Sequence, residues 1–451
     1  MSEPRFSYSL EQLQEMSVRV LKLAKAAGAS AADTDISLGI GQNVSVRMGE
    51  TETIEYNRDK GVSVTVYFGQ QRGNASTSDL SEKALADTVA AACNIARYTA
   101  QDPFCGLADA SLMASVFPGL DLYHPWDISV EEAIDIAKRC EAAAQGVDAR
   151  ITKSEGASVS NSASLSVYAN SHGFSAGYQT SRHGISASVI AEEGESMQRD
   201  YWYSTARAAD DLDTPEHVGR LAGERTVRRL GCRRVKTAQV PVLFEAPLAS
   251  GLISSLVGAI SGGSLYRKSS FLLDSLGKQV LAPIIDIDEQ PHLLRGLASS
   301  AFDAEGVATK PRRLVEKGML QGYVLSSYSA RKLGMVTTGN AGGNHNLIVQ
   351  HAQGVEHQLS FEQLLKTMGT GLLVTELLGH GLNMVTGDYS RGAAGFWVEN
   401  GLIAYPVEEI TIAGNMKNML NQIVALGNDV LVQGSKQVGS ILIERMTVAG
   451  S

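Results

Sequence analysis

Cysteine is scarce: the 451 residues hold four, Cys93, Cys105, Cys140 and Cys232, far apart and with no C-x-x-C pair. That spacing excludes a disulfide framework and a cysteine-built structural zinc site, and it suits a reducing compartment. Proline is scarce too, 11 against 45 glycines. A chain that turns by glycine favours short antiparallel strands and tight turns over a helical bundle. Positive charge falls short of negative, leaving a net −9 at pH 7, and a field of that sign repels nucleic acid and anionic membranes. The one basic run, Arg228, Arg229, Arg233, Arg234 and Lys236, is read as the C-terminal end of a helix, where cations offset the macrodipole. Long apolar runs are missing as well. Residues 246–266 are uncharged and long enough to span a bilayer, yet five serines, four glycines and Pro247 interrupt them. Met1 to Phe6 lack the basic-then-apolar layout of a signal peptide, so the expectation is a cytoplasmic protein with no membrane span.

What is present is an ordinary globular composition, 44% hydrophobic and 19% charged, in a chain long enough for at least two cores. Ser9 with Gln12 forms a capping box, Leu10, Leu13, Met16, Val20 and Leu23 supply an apolar face, and Gly28 ends the helix. From Asp35 to Thr77 polar and apolar residues alternate, with Gly41, Gly49, Gly61 and Gly69 as turn points, which predicts three or four antiparallel strands. A helix follows over 81–97. The order then recurs: a capping box at Ser129 and Glu132 opens a helix closing at Gly146, strands broken at Gly156, Asn170 to Gly173, Gly184 and Gly194 run to Ala208, and Thr214-Pro215 starts a helix ending near Gly231. Helix, strands, helix twice over predicts a duplicated unit, with the loop 99–127 between the halves.

Beyond Lys236 the texture changes to a buried strand, Val240 to Phe244, a helix with Leu252, Ile253, Leu256, Val257 and Ile260 on one face, a short helix over 361–368, and strands at 410–412 and 441–448. The predicted fold class is α+β, antiparallel sheets with packed helices. The predicted domains are 1–235, with halves 1–100 and 128–235, and a β-rich domain over 236–451.

Most catalytic motifs fail. Gly173-Phe174-Ser175-Ala176-Gly177 matches a nucleophile elbow in letters, but its surroundings are strands and no helix N-terminus follows, so Ser175 is read as a strand residue despite His172 and His183 nearby. No phosphate-binding glycine loop and no H-E-x-x-H is present. His345, His351 and His357 stand six apart among Gly, Asn and Gln and are read as a solvated polar loop; Gly379-His380-Gly381 is read as a turn or, through its glycines, as a cleft or peptide contact.

Five segments in order carry a resemblance: Asn57 to Thr77, Asn170 to Gly173, Ser261 to Lys278, Gly296 to Ser299 with Phe302-Asp303, and Thr386 to Gly401, followed by Ile412 to Asn415. Together they resemble the TldD/TldE metallopeptidase family, on its TldE or PmbA side, over nearly the whole chain. The resemblance implies a heterodimer in which the TldD chain bears H-E-x-x-x-H and a later Cys on zinc, with the motif Glu as general base toward unfolded peptides. Here the matching stretch is Phe244-Glu245-Ala246-Pro247-Leu248-Ala249, so both ligand positions are apolar and only Glu245 remains; the third position falls in Gln437 to Ser440, without a Cys. The implied role is a non-catalytic subunit holding no metal itself, paired with a zinc-bearing TldD-like chain, with self-association in isolation left open. A regulatory binding protein of gyrase-modulator type is the alternative, and a metal-free hydrolase using Ser175 the remote one.

Overall fold

The computed structural model describes residues 5–450. Its first half runs α1 (Leu10–Ala26), β1 (Ala31–Arg47), β2 (Glu50–Phe68), β3 (Gln71–Thr77), α2 (Glu82–Tyr98), α3 (Val130–Gln145), β4 (Ile151–Asn170), β5 (Ser175–Glu193), β6 (Ser196–Ala206) and α4 (Pro215–Val227). Both predicted capping boxes form: Ser9 Oγ accepts from the Gln12 amide at 3.2 Å, and Ser129 Oγ from the Glu132 amide at 3.1 Å. The buried stripe of α1 is Leu13, Met16, Val20 and Ala24; Leu23, read as part of that face, lies on the solvent side. Stepping by 3.6 residues from Val20, the stripe passes through Ala24.

Three of the glycines read as breaks, Gly41, Gly61 and Gly184, do not turn the chain. Gly49 (φ +78°) and Gly69 (φ +61°) do turn the chain, whereas Gly41 and Gly61 continue β1 and β2 in register with Asn57 and Ser37. Gly184 likewise stays inside β5, and Gly156 marks a bulge where the register of β4 shifts. The result is three long strands per half. A glycine breaks a strand only where a positive φ is adopted; elsewhere it leaves a gap in one face.

The six strands form one antiparallel sheet in the order β3-β2-β1-β4-β5-β6. Pairing of β1 with β4 joins the helix–strands–helix units, so the repeat is real at the level of element order. All four helices pack on one face, burying Ile36, Val62, Val64, Val66, Leu165 and Val167 under α1 and α2, and Ile185, Ala187 and Val189 under α3 and α4. Gly219 and Gly223 let α4 approach α3 closely: a Cβ at Gly219 would stand 2.0 Å from the Cys140 carbonyl oxygen. On the opposite face β4 shows Ser158, Ser160, Ser162, Ser164 and Ser166 at every second position, paired with hydroxyls such as Thr180 (2.7 Å from Ser164) and Ser186 (2.8 Å from Ser158).

The second half contains β7 (Ala238–Phe244), α5 (Ala246–Ala259), α6 (Gly262–Tyr266), β8 (Ile285–Gln290), β9 (Arg312–Glu316), β10 (Met319–Leu320), α7 (Ser327–Lys332), β11 (Asn346–His351), α8 (Phe361–Met368), β12 (Gly371–Leu378), β13 (Asp388–Glu399), β14 (Leu402–Asn415), α9 (Met416–Asn421), β15 (Ile423–Leu426), β16 (Leu431–Val432), β17 (Lys436–Val438) and β18 (Ile441–Ala449). They make two sheets, β14-β13-β12-β7-β18-β15 and β10-β9-β8-β11-β17-β16, antiparallel except for β7 with β12 and β11 with β17. Helix α5 belongs to the shared core, with Leu252, Ile253, Leu256 and Ile260 buried. Among the described residues no helix is long and apolar enough to cross a membrane.

The segment 99–127 is no free loop. It straps the halves together: Tyr328 Oη donates to Asp102 (2.7 Å), Arg331 to the Phe104 and Gly106 carbonyls (3.0 Å each), and the Ala114 amide to the Gly306 carbonyl (3.0 Å).

Candidate functional site

The stretch 244–249 sits at a strand-to-helix corner. Phe244 ends β7, Glu245 caps α5, and Ala249 lies in the first helical turns. Position 244 is therefore on a strand and position 249 on the helix that follows it. Phe244 and Ala249 are both fully buried in the core. Ile441 pairs with Phe244 across β7 and β18, so 437–440 arrives at the same corner. There Ser440 is clamped by Asp429, its amide donating at 2.8 Å and its hydroxyl at 2.6 Å.

Glu245 is equally occupied. Arg225 Nη1 donates to both of its oxygens (3.0 and 2.9 Å) and Arg228 Nη2 lies 3.3 Å away. Asp200 stands 3.4 Å from Arg225 and 3.6 Å from Arg229, which also pairs with Glu376 of β12. Burial alone would lower the Arg225 pKa, yet Glu245 and Asp200 raise it above its ordinary value. The basic run thus serves less as a helix terminus than as the arms of an ion network between α4 and the second half. Of its other members, Arg234 pairs with Glu409 and Arg233 stacks 4.9 Å from the Tyr405 ring centre. A phenyl ring, a methyl group, a committed hydroxyl and a carboxylate held by two guanidiniums do not fit a zinc ion. Among the described residues no group of three His, Cys, Asp or Glu is arranged for one elsewhere.

The histidines separate. His345 is not in a solvated loop: it is 8% exposed, its Nδ1 is 3.2 Å from Glu289, and its amide donates to the same carboxylate at 2.8 Å. Burial would raise the Glu289 carboxyl, but His345 and Arg312 (2.7 Å) hold it down to about 2. His351 and His357 stack with ring centres 5.3 Å apart. Gly379, His380 and Gly381 form the turn after β12, with His380 exposed and away from the cavities described below; Gly381 is required because a Cβ there would meet the Ser390 carbonyl oxygen at 1.7 Å. Ser175 opens β5, and no base reaches it: His172 Nε2 bonds the Ala108 carbonyl (3.1 Å) and His183 Nε2 the His124 carbonyl (2.8 Å).

Sequence reasoning missed a cleft between the serine-lined sheet face and the loops 291–345. Its first compartment, about 440 Å³, is walled by Phe117, Leu120, Ser175, Tyr178 and Phe302. A second, about 460 Å³, adjoins it at Tyr178, Ser300 and Phe302 and is lined by Asp35, Ser164, Ser166, Thr180, Arg207 and His345. A third, about 470 Å³, shares Tyr168 and Ala304 with the second and holds Asp33, Arg72, Asp102, Glu305 and Tyr328. Burial pushes the Asp33 carboxyl up to about 6, against the pull of Arg72, Thr65 and Tyr67. The alternating serines of β4 were the available signal, because a face that repeats small hydroxyls opposite an apolar one is built to stay wet.

The chain matches the PmbA/TldA metallopeptidase domain 1 over residues 32–96, the central domain over 123–230 and the C-terminal domain over 237–450. It is 51% identical to Metalloprotease PmbA of Escherichia coli O157:H7 over 97% of this chain and 96% of that one. A Bacteroides thetaiotaomicron structure described as a modulator of DNA gyrase superposes with a TM-score of 0.91 at 27% identity, covering 97% and 99% of the two chains. TldE from Thermococcus kodakarensis shares the fold, with a TM-score of 0.81 at 18% identity over 96% and 100%. The chain belongs to the PmbA/TldD metallopeptidase family, on its PmbA side.

Proposed function

We propose that this chain is the non-catalytic subunit of a cytoplasmic two-chain zinc peptidase, pairing with a TldD-like chain that carries the metal and degrading or processing unfolded peptides. One observation carries the reading: the corner where the related catalytic chain would hold zinc is filled here by Phe244 and Ala249, and its carboxylate, Glu245, is bound to Arg225 and Arg228. Without a metal there is no water of lowered pKa to attack an amide, and a carboxylate tied to two guanidiniums is a poor general base. The chain's own contribution is then the wall of a peptide chamber, with its polar sheet face and cleft meeting extended substrate. The two predicted domains, 1–235 and 236–451, act in this reading as one body fastened by the strap and the arginine network.

The test is reconstitution. The purified chain alone holds no stoichiometric zinc and leaves an unstructured peptide intact. Mixed with a TldD-like chain bearing H-E-x-x-x-H, it forms a complex whose cleavage is abolished by chelator and by loss of the partner's histidines. One tightly bound zinc in the isolated chain, with chelator-sensitive cleavage, overturns the reading. A second reading, a regulator acting without proteolysis, draws on the gyrase-modulator description of the Bacteroides protein. It requires a direct effect on gyrase supercoiling by the chain alone.

A further inference from the structure

The sheet of the first half has a long open edge. β2 spans Glu50–Phe68, but β3 pairs only with its last part, from Val62 to Phe68. Residues 50–60 are exposed at every position, and among the described residues no strand pairs with their outer side. Tyr67 and Ser63 turn their carbonyls inward, to the Ser30 amide just before β1 (2.8 Å) and to the Thr34 hydroxyl (2.9 Å). Val64 turns its carbonyl the other way, to the Asn74 side chain of β3 (3.2 Å). Because main-chain groups alternate along a strand, Ile54, Tyr56, Arg58 and Lys60 present their N–H and C=O groups to the open side. The segment is firmly held. β1 pairs with it along its length, and at the hairpin tip the Glu141 carboxylate of α3 accepts from the Met48 and Gly49 amides (2.9 and 2.8 Å). A rigid open edge is a template for another strand.

The side chains decide which strand it fits. Charge of one sign on an edge repels any second copy, which is a common way of keeping edges unpaired. Here both signs occur, sorted along the strand. On the face shared with Val62, Val64 and Val66 stand Ile54, Tyr56, Arg58 and Lys60, preceded by Glu52 at the bulge where the pairing with β1 shifts. Ile54 and Tyr56 are 47% and 66% exposed. Glu52 touches only Arg47, at 3.5 Å with both side chains about half exposed, and no ion pair among the described residues engages Arg58 or Lys60. The order acid, apolar, apolar, base, base is its own complement when reversed. An identical strand laid antiparallel sets its apolar pair on this one and its Glu52 against the Arg58 and Lys60 end, and a two-fold axis makes the match twice. A parallel copy would set like charges together. A strand of arbitrary sequence would gain only the main-chain bonds.

We propose that a second copy of this chain docks antiparallel on the open edge of β2, along residues 52–60, and that the six-stranded sheets of the two copies join into one. The two-fold axis then stands perpendicular to the sheet, with the helices of both copies on one side and both serine-lined faces on the other. The proposal stands apart from the peptidase reading, since it needs neither metal nor substrate.

The experiment measures the mass of the full chain, without any other protein, by sedimentation over a range of micromolar concentrations. The wild-type chain reaches twice its monomer mass. Arg58→Glu combined with Lys60→Glu raises the dissociation constant about ten-fold or more, because like charges then face each other at both ends, and Glu52→Lys acts in the same direction. All three changes together restore the dimer, since the strand is reversed in polarity and again complements itself. Tyr56→Pro removes an N–H that has no partner within the chain and also prevents association, with circular dichroism showing that the monomer stays folded. These positions are exposed, so the charge changes leave the core intact. A monomer at every concentration overturns the proposal, as does a dimer that ignores the charge reversals or is not restored by the triple change. An edge that binds an unstructured peptide or a TldD-like chain but never its own copy also overturns it. Partner-dependent cleavage is measured separately, so the subunit reading and the dimer stand or fall on different readouts.

Discussion

Replacing Glu245 with glutamine tests whether this carboxylate holds the two halves of the chain together. Its oxygens receive Arg225 from α4 at 3.0 and 2.9 Å, with side chains only 10% and 14% exposed. Removing one partner of a buried ion pair costs about 3–5 kcal/mol, because the other charge is stranded. Several features soften that here. Glutamine still accepts one hydrogen bond through its remaining oxygen, and Asp200 stays 3.4 Å from Arg225. Arg228, about a third exposed, contributes a solvent-screened share. The expected cost is therefore about 2 kcal/mol.

Trp202 lies 5.1 Å from the Arg225 guanidinium and reports on this contact by fluorescence. In urea, Glu245→Gln moves the transition seen by Trp202 to lower denaturant, by an amount worth about 2 kcal/mol, and 0.5 M salt shifts it little because the pair is buried. Arg225→Met has a similar cost, and the double variant loses less than the sum, with a coupling of about 1 kcal/mol or more. In the partnered peptidase, activity falls only as far as the folded chain is lost. A Glu245→Gln midpoint equal to that of the wild-type chain, or strict additivity with Arg225→Met, refutes the latch. Lost cleavage by a fully folded variant would instead return Glu245 to the chemistry.

Two other outcomes follow from burial. The Asp33 carboxyl is raised to about 6, above its unfolded value, so the native state binds the extra proton and stability falls as pH rises through the interval from about 4 to 6. Asp33→Asn removes that loss: it stabilises the protein at pH 7 by about 2 kcal/mol and hardly at pH 4, read from thermal midpoints at the two pH values, and equal gains at both would refute it. Gly219→Ala forces a methyl group against the Cys140 carbonyl at 2.0 Å, and the shift between α3 and α4 needed to relieve it costs about 1–3 kcal/mol; an unchanged urea midpoint would show that the helices part freely.

How much of this was legible in the sequence depended on whether the signal was local. Both N-terminal capping boxes, the Pro215 helix start, β7 and β18 were readable because a cap or an alternation involves residues a few positions apart. Glycine was over-read. The same letter stands at Gly49, which turns the chain, and at Gly41, which does not, and only the paired strand decides between them. The loop 99–127 was legible as a loop but not in what it ties together: it has almost no regular structure, and its carbonyls and carboxylates are taken by Arg331 and Tyr328 more than 200 residues away.

The site divides along the same line. That positions 244 and 249 are apolar is a property of two letters, and comparison with a catalytic pattern suffices to see it. What Glu245 does is a property of Arg225, Arg228 and Asp200, from the end of α4 and from β6, which no spacing rule brings to this carboxylate. His345 was misread likewise, since its glycine- and asparagine-rich neighbourhood signals exposure while Glu289, 56 residues earlier, buries it. The serine repeat of β4 lay between these cases. Its period of two was visible, and it stated that one face of the sheet avoids apolar contact; that the wet face forms a cleft required knowing where the loops 291–345 come to rest.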